Sequence, residues 1–281
     1  MARVTGLHRV AIKAAELDAT TRFYTDLWGL QLLSQESGIS RLRTGGSAHA
    51  DFMIRQGGKG LDHIAFAVAD RAAQEALTKQ GVAAGGTLIG ADDEIILGDP
   101  DGNRVHLVVP MAEKSDAAAP EFGPTKIGHV VLWAGNGPTM ENFYQALGLR
   151  ISDRTKMGMA FLRCNADHHT LALVDKAGMS GLQHIAFDTV TIDNVMRQLG
   201  RLKKAEVPCI WGPGRHGPGN NVFTYYQDPA GSIVEIYGEL EQVPVDEAEL
   251  TEKFWGPEHS GDLWGLAGPP PNVFKGLPPD A

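Results

Sequence analysis

Cysteine is scarce in this chain: only Cys164 and Cys209 occur among 281 residues. Two thiols cannot build a disulfide framework, and neither CxxC spacing nor a paired Cys/His zinc pattern is present. Both read as ordinary buried thiols. There is also no run of eighteen apolar residues, and the opening MARVTGLHRV lacks the apolar stretch of an export signal. No membrane span is expected, and a cytoplasmic location is the default. Excess positive charge is missing too: the formal net charge is −9, with no Lys/Arg stripe, which argues against nucleic acid as a partner. Hydrophobic residues make up 43% of the chain, enough for two substantial cores.

Histidine, by contrast, is patterned. Nine of the ten histidines fall in a repeat that lays residues 7–110 over 127–238. GLHRVAI against IGHVVLW pairs His8 with His129, and GLDHIAFAV against GLQHIAFDT pairs His63 with His184, both at an offset of 121. GDPDGNRVHLVV beside QDPAGSIVEIYG pairs His106 with Glu235 at an offset of 129, the extra eight residues falling in the Gly/Pro-rich loop 212–220. Each half contains two similar units of strand, helix and three strands. In the first half, strands are expected near 7–13, 31–35, 40–44, 49–54, 61–68, 85–89, 94–98 and 103–109, with helices at 18–28 (Asp18 as N-cap) and 70–80. The second half repeats them at 127–133, 150–154, 159–163, 169–174, 182–189, 208–211, 222–227 and 232–237, with helices at 138–147 and 191–204. Asp-Pro-Asp-Gly (99–102) and Asp-Pro-Ala-Gly (228–231) read as tight turns. The organisation is therefore a first domain over 5–110, a linker over 111–124, a second domain over 125–240 and a tail over 241–281. Aromatic residues in the tail (Phe254, Trp255, Trp264, Phe274) predict that it folds back on the second domain as a lid or serves as a subunit contact.

One residue type at one position already points to a cation. In SIVEIYG, alternation puts Ile233, Glu235 and Tyr237 on one strand face, and a carboxylate buried there without a partner would be expensive. Together with HHTLAL (168–173), LQHIAFD (182–188), GPGRHG (212–217) and FTYYQDPAGSIVEIYGE (223–239), the fourfold βαβββ pattern resembles the vicinal oxygen chelate superfamily. Within it the chain resembles the two-domain type I extradiol dioxygenases, over roughly residues 5–240. The resemblance implies an α+β fold of four βαβββ modules arranged as two domains, the arrangement of glyoxalases, bleomycin resistance proteins and dihydroxybiphenyl dioxygenases. It implies His129, His184 and Glu235 as metal ligands, with Fe(II) as cofactor and Mn(II) as the alternative. It implies His169 as the acid/base on the dioxygen side, and His216 and Tyr225 as hydrogen-bonding groups for the substrate. Strand parity with Glu235 prefers Tyr225 over Tyr226. His168 reads as a surface or packing residue on the opposite strand face. The implied reaction is meta cleavage of a catecholic small molecule by O2, in a homo-oligomer.

Two features are left open at this level. His8, His63 and His106 fill all three ligand positions of the first half, and His49 mirrors His169, yet Thr87 and Ile96 stand where His216 and Tyr225 would be. That pocket reads as vestigial or at most an adventitious metal site. The substrate is unreadable, although Trp211, Cys209, Met157, Met159 and the tail aromatics suit an apolar pocket, and Arg154, Arg163 and Arg215 are candidates for a substrate carboxylate. The competing functions are a metal-free small-molecule binding protein and a glyoxalase-like isomerase.

Overall fold

Alternating apolar residues in VTGLHRVAIKA and KIGHVVLWA form long strands that lie inside the two sheets of the computed structural model, which describes residues 2–92, 94–110, 123–244 and 252–277. The first module comprises β1 (Val4–Ala14), α1 (Leu17–Arg22), β2 (Gln31–Glu36), β3 (Ile39–Arg43) and β4 (Phe52–Gln56). The second comprises β5 (Lys59–Val68), α2 (Arg71–Ala83), β6 (Thr87–Ala91), β7 (Ile95–Gly98) and β8 (Arg104–Val108). Their eight strands form one sheet in the order β2-β3-β4-β1-β5-β8-β7-β6. The third module is β9 (Lys126–Ala134), α3 (Gly137–Ala146), β10 (Arg150–Thr155), β11 (Met159–Arg163) and β12 (Leu171–Asp175). The fourth is β13 (Gly181–Asp188), α4 (Ile192–Lys204), β14 (Trp211–Arg215), β15 (Val222–Gln227) and β16 (Ile233–Gly238). A short tail strand, β17 (Lys253–Trp255), adds to the edge, giving β14-β15-β16-β13-β9-β12-β11-β10-β17.

The α+β architecture of four βαβββ modules is as expected from the sequence, with local corrections. Helix 18–28 was expected to start at an Asp18 cap. Instead α1 begins at Leu17, whose side chain is buried, and the Glu16 carbonyl accepts the Thr20 N–H; Asp18 lies in the first turn and takes a hydrogen bond from Gln35. The second half of that segment, Phe23–Trp28, is a π-helical turn that stops at Gly29 with φ +90°. Residues 212–215, expected in a loop, belong to β14 because Trp211, Gly214 and Arg215 pair with Tyr225, Phe223 and Val222. The other three long helices carry side-chain caps, from Asp70, Asn136 and Thr191. Most of the linker falls outside the described residues.

A single apolar cluster runs through both halves, so the domains share a core. Trp28 packs edge-on to Tyr226, with ring centroids 5.6 Å apart, and Tyr24 lies 6.0 Å from Phe187. Polar contacts repeat across this junction with the symmetry of the sequence repeat. Tyr24 donates its hydroxyl proton to Asp228 Oδ2 (2.8 Å) in the second half's tight turn, and Tyr144 donates to Asp99 Oδ2 (2.9 Å) in the first half's. The two Asp-Pro turns are thus also the sockets that join the halves.

Candidate metal centre

Strand register explains why three distant residues meet. In the second sheet β13 lies between β16 and β9, and Ala186 stands opposite both Glu235 and His129. His184 is two residues away on the same strand and so shares that face. Alanine at the centre leaves room for the three longer side chains. His129 Nε2 lies 3.2 Å from Glu235 Oε2, and His184 Nε2 lies 3.3 Å from the same oxygen. Metal bonds of about 2.1 Å at right angles would separate neighbouring ligand atoms by about 3 Å, so the spacing suits one face of a coordination sphere. Among the described residues this is the one group of His, Cys, Asp or Glu whose ligand atoms fall within 4.8 Å of one another. His184 Nε2 and Glu235 Oε2 have no well-formed hydrogen bond, although Glu235 is fully buried. A divalent cation between them satisfies atoms that the protein alone leaves unpaired.

Electrostatics agree with that fit. Burial lowers the His184 pKa to about 4, so its imidazole is neutral and offers a lone pair. Burial would raise the Glu235 carboxyl, but its close contacts with the His129 and His184 rings hold it well below its ordinary value. Its other oxygen, Oε1, accepts from Asn221 Nδ2 at 3.1 Å, a support with no signal in the sequence pattern.

The three remaining candidates face the same cavity, of about 430 Å³. His169 lies with its ring centroid 4.2 Å from that of His129, and burial, followed by the neighbouring imidazoles, keeps it neutral. His216 Nδ1 lies 2.7 Å from the Gly261 carbonyl, which can only accept, so Nδ1 carries the proton. Its Nε2 is therefore free to accept the Tyr225 hydroxyl proton at 3.0 Å. Burial, with the Glu235 charge, raises the Tyr225 pKa well above 10, which keeps the phenol a proton donor. Tyr225 stands opposite Glu235 in the β15/β16 register, while Tyr226 points into the shared core beside Trp28.

Other candidates are placed differently. Met157, Met159, Trp211 and Phe274 line the cavity; Cys209 does not, its thiol lying near the Trp211 carbonyl. Arg154, Arg163 and Arg215 are also absent from the lining. Arg154 pairs with Glu141 and Glu252, Arg163 bonds to Ser152 and the Ile151 carbonyl, and Arg215 pairs with Glu239 beneath Trp264. Of the two readings of His168, packing is the one that fits: it is 1% exposed, although, like His169, it precedes β12 rather than lying on it.

Residues 126–236 match the Glyoxalase/Bleomycin resistance protein/Dioxygenase superfamily, and residues 9–108 match the Glyoxalase-like domain family. A manganese(II)-bound glyoxalase from Novosphingobium aromaticivorans is 31% identical, with TM-score 0.88, over 100% of this chain and 96% of that one. The chain belongs to the glyoxalase/bleomycin resistance protein/dioxygenase superfamily. Among curated superfamily relatives, "Metapyrocatechase 2" of Cupriavidus necator is 29% identical over 65% of this chain and 68% of its own length. BphC, a halotolerant catechol dioxygenase, shares the fold at 21% identity, with TM-score 0.82 over 91% of this chain and 92% of that one.

The first half departs from this metal-site arrangement because an arginine stands at the first ligand position, which a bulge shared by the two halves identifies. In β9 the residue skipped by the ladder is Gly128, and in β1 it is His8. Gly128 cannot be larger, because a Cβ there would strike the Tyr237 hydroxyl. Ala65, the counterpart of Ala186, faces Arg9 and His106. Arg9, not His8, therefore holds the place of His129. Its guanidinium occupies the ion's position: Nε donates to His63 Nε2 at 3.0 Å, and Nη2 lies 2.9 and 2.8 Å from the two Glu94 oxygens. Glu94 also accepts from His106 Nδ1 at 2.6 Å. His8 turns away to stack on His49 at 4.0 Å, and the residue in His169's position is Ala50, since the Asp51 carbonyl accepts from Val10 as the Thr170 carbonyl accepts from Val130.

Proposed function

We propose that the chain is an extradiol dioxygenase, which inserts both atoms of O2 into a catecholic ring and cleaves the carbon–carbon bond beside the hydroxyls. One observation carries the reading: His129 and His184, with the buried Glu235 within ligand distance of both, line a single cavity with a neutral histidine, a histidine–tyrosine pair and apolar walls. Fe(II) is the cofactor this donor set suits, with Mn(II) the alternative that the manganese-bound relative makes reasonable. Bound there, the metal supplies open coordination positions for two catechol oxygens and O2, and a route for electrons between them.

The protein's share is protons, orientation and dryness. His169 takes a proton from the bound catechol and returns it as the ring opens. Tyr225 donates its hydroxyl proton to a substrate oxygen, and His216, its ring fixed by the Gly261 carbonyl, offers Nε2 as an acceptor to Tyr225 or to a substrate hydroxyl. Val131, Met159, Phe161, Trp211 and Phe274 exclude bulk water, which strengthens those bonds. Phe274 belongs to the tail, which thereby forms one wall.

A glyoxalase-like isomerase draws its ligands in a pairing that includes two carboxylates, and among the described residues the metal group holds one, Glu235. A metal-free binder has no use for buried ligand atoms left unpaired. Oxygen uptake by the iron-loaded protein with catechols, giving a yellow ring-opened acid, is the expected result. Binding without oxygen consumption, or isomerisation of a thiol adduct, would refute it. The same reading includes a homo-oligomer working in the cytoplasm. Self-association is supported by Leu32 and Leu33 on edge strand β2 and Leu88 and Ile89 on edge strand β6, all exposed. No helix among the described residues is long and apolar enough to cross a membrane.

A further inference from the structure

Behind His169 lies a buried chain of polar groups that the reaction as described does not use. His169 Nδ1 is 3.0 Å from His168 Nδ1, the two rings standing at 89°. His168 Nε2 is 3.1 Å from Asp153 Oδ2, within hydrogen-bond reach though not well aligned. Asp153 is fixed by the tail: Trp255 Nε1 donates to Oδ2 at 2.6 Å, and the Lys253 N–H donates to Oδ1 at 3.0 Å. All three side chains are at most 3% exposed. Gly219, at φ +75°, lets the backbone pass close by, since a Cβ there would lie 3.2 Å from both imidazoles.

The donors around Asp153 determine where each proton sits. Trp255 and the Lys253 amide can only donate, so the carboxylate is an acceptor throughout. As a neutral imidazole, His168 must then present Nε2–H to it, which leaves a lone pair on its Nδ1. That lone pair can be satisfied only if His169 donates from Nδ1, and His169 then faces the cavity with an unprotonated Nε2.

We propose that His168 and Asp153 are positioning residues that hold His169 in the Nδ1–H tautomer, so that it enters the reaction as a base and donates a hydrogen bond only after taking a proton from the substrate. This rests on the dioxygenase reading for its consequence in turnover, but not for the tautomer itself. The relation is that of a carboxylate orienting a catalytic imidazole, with one further ring inserted between them.

Two measurements test it. Histidine-labelled, Zn(II)-loaded protein gives the tautomer directly from its ¹⁵N ring shifts: a protonated Nδ1 and bare Nε2 on His169 are expected, and the opposite pattern overturns the proposal. That result is independent of activity, so the expected tautomer in a protein inert towards catechols would sink the dioxygenase reading alone. In the iron-loaded protein, His168→Gln keeps an oxygen to accept from His169 and an amide to donate to Asp153, whereas His168→Phe keeps neither. His168→Phe should lower kcat about a hundredfold with little change in KM, while His168→Gln retains most of it. Equal losses in the two, or none in either, refute the assignment; if His168→Phe does not fold, the ring shifts of the unaltered protein decide.

Discussion

Adjacent tyrosines on β15 offer a sharp test, because strand parity sends them to opposite sides of one sheet. Tyr225→Phe removes a hydroxyl that lies 3.0 Å from His216 Nε2 and faces the cavity. If that hydroxyl bonds an anionic substrate oxygen, its loss forfeits about 1.5–3 kcal/mol in the transition state. This corresponds to a fall of about 10- to 150-fold in kcat/KM. Tyr226→Phe removes a hydroxyl buried in the shared core without a well-formed hydrogen bond. Its activity should be unchanged, and its stability neutral or improved by up to about 1 kcal/mol. Oxygen-electrode kinetics normalised to bound metal, with thermal melting of each variant, measure both quantities. Unimpaired kcat/KM in Tyr225→Phe, or the greater loss of activity in Tyr226→Phe, would show that the register argument has the wrong face.

Three further outcomes are expected. Metal analysis should find one tightly held ion per chain, lost in Glu235→Ala, while Arg9→His should gain a second ion by adding an imidazole to His63 and His106 in place of the guanidinium; an unchanged metal content would refute the equivalence of Arg9 and His129. Burial raises the Asp51 pKa to about 6. Its stabilising contribution is thus complete below the unfolded value of about 3.9 and is lost as pH rises through 6, by about 3 kcal/mol. Asp51→Asn can still pair with the Thr44 amide and hydroxyl, so its advantage in melting temperature over the unaltered protein should widen from pH 4 to pH 6.5; a constant gap would refute the shift. Phe274→Ala should open the tail wall of the cavity, raising KM for bulky apolar catechols more than for catechol itself; equal changes in steady-state oxygen uptake would mean that the tail does not contact substrate.

Much of this was visible in the amino acids. Alternation located the strands, and the fixed spacing between GLDHIAF and GLQHIAF found the row that β5 and β13 share. Alignment by identity failed at the first strand, because matching His8 to His129 gains a histidine pair, while the ladder, which bulges at His8 and at Gly128 alike, sets Arg9 in the place of His129. Apolar residues flank both strands whichever way they are slid, so nothing in the pattern betrays the shift. The strand-face argument for His168 fails for a related reason: HHTLAL looks like continuous strand, but the ladder begins only at Leu171, and the parity rule does not hold before it. Partners such as Asp153, Asn221 and Gly261 lie far along the chain from the groups they orient, and local periodicity carries no information about them. The tail's aromatic residues signalled burial without naming what they would cover.

Arg9 gives the two halves different dependence on the surroundings. A guanidinium is part of the polypeptide and cannot be stripped by a chelator or withheld in times of iron shortage, so the first sheet's polar cluster is complete as soon as it folds. On the proposed reading the second sheet carries the same architecture around an exchangeable ion. Starvation for metal should therefore loosen only the half that performs chemistry, leaving its twin as a preformed template against which the empty half can be rebuilt when supply returns.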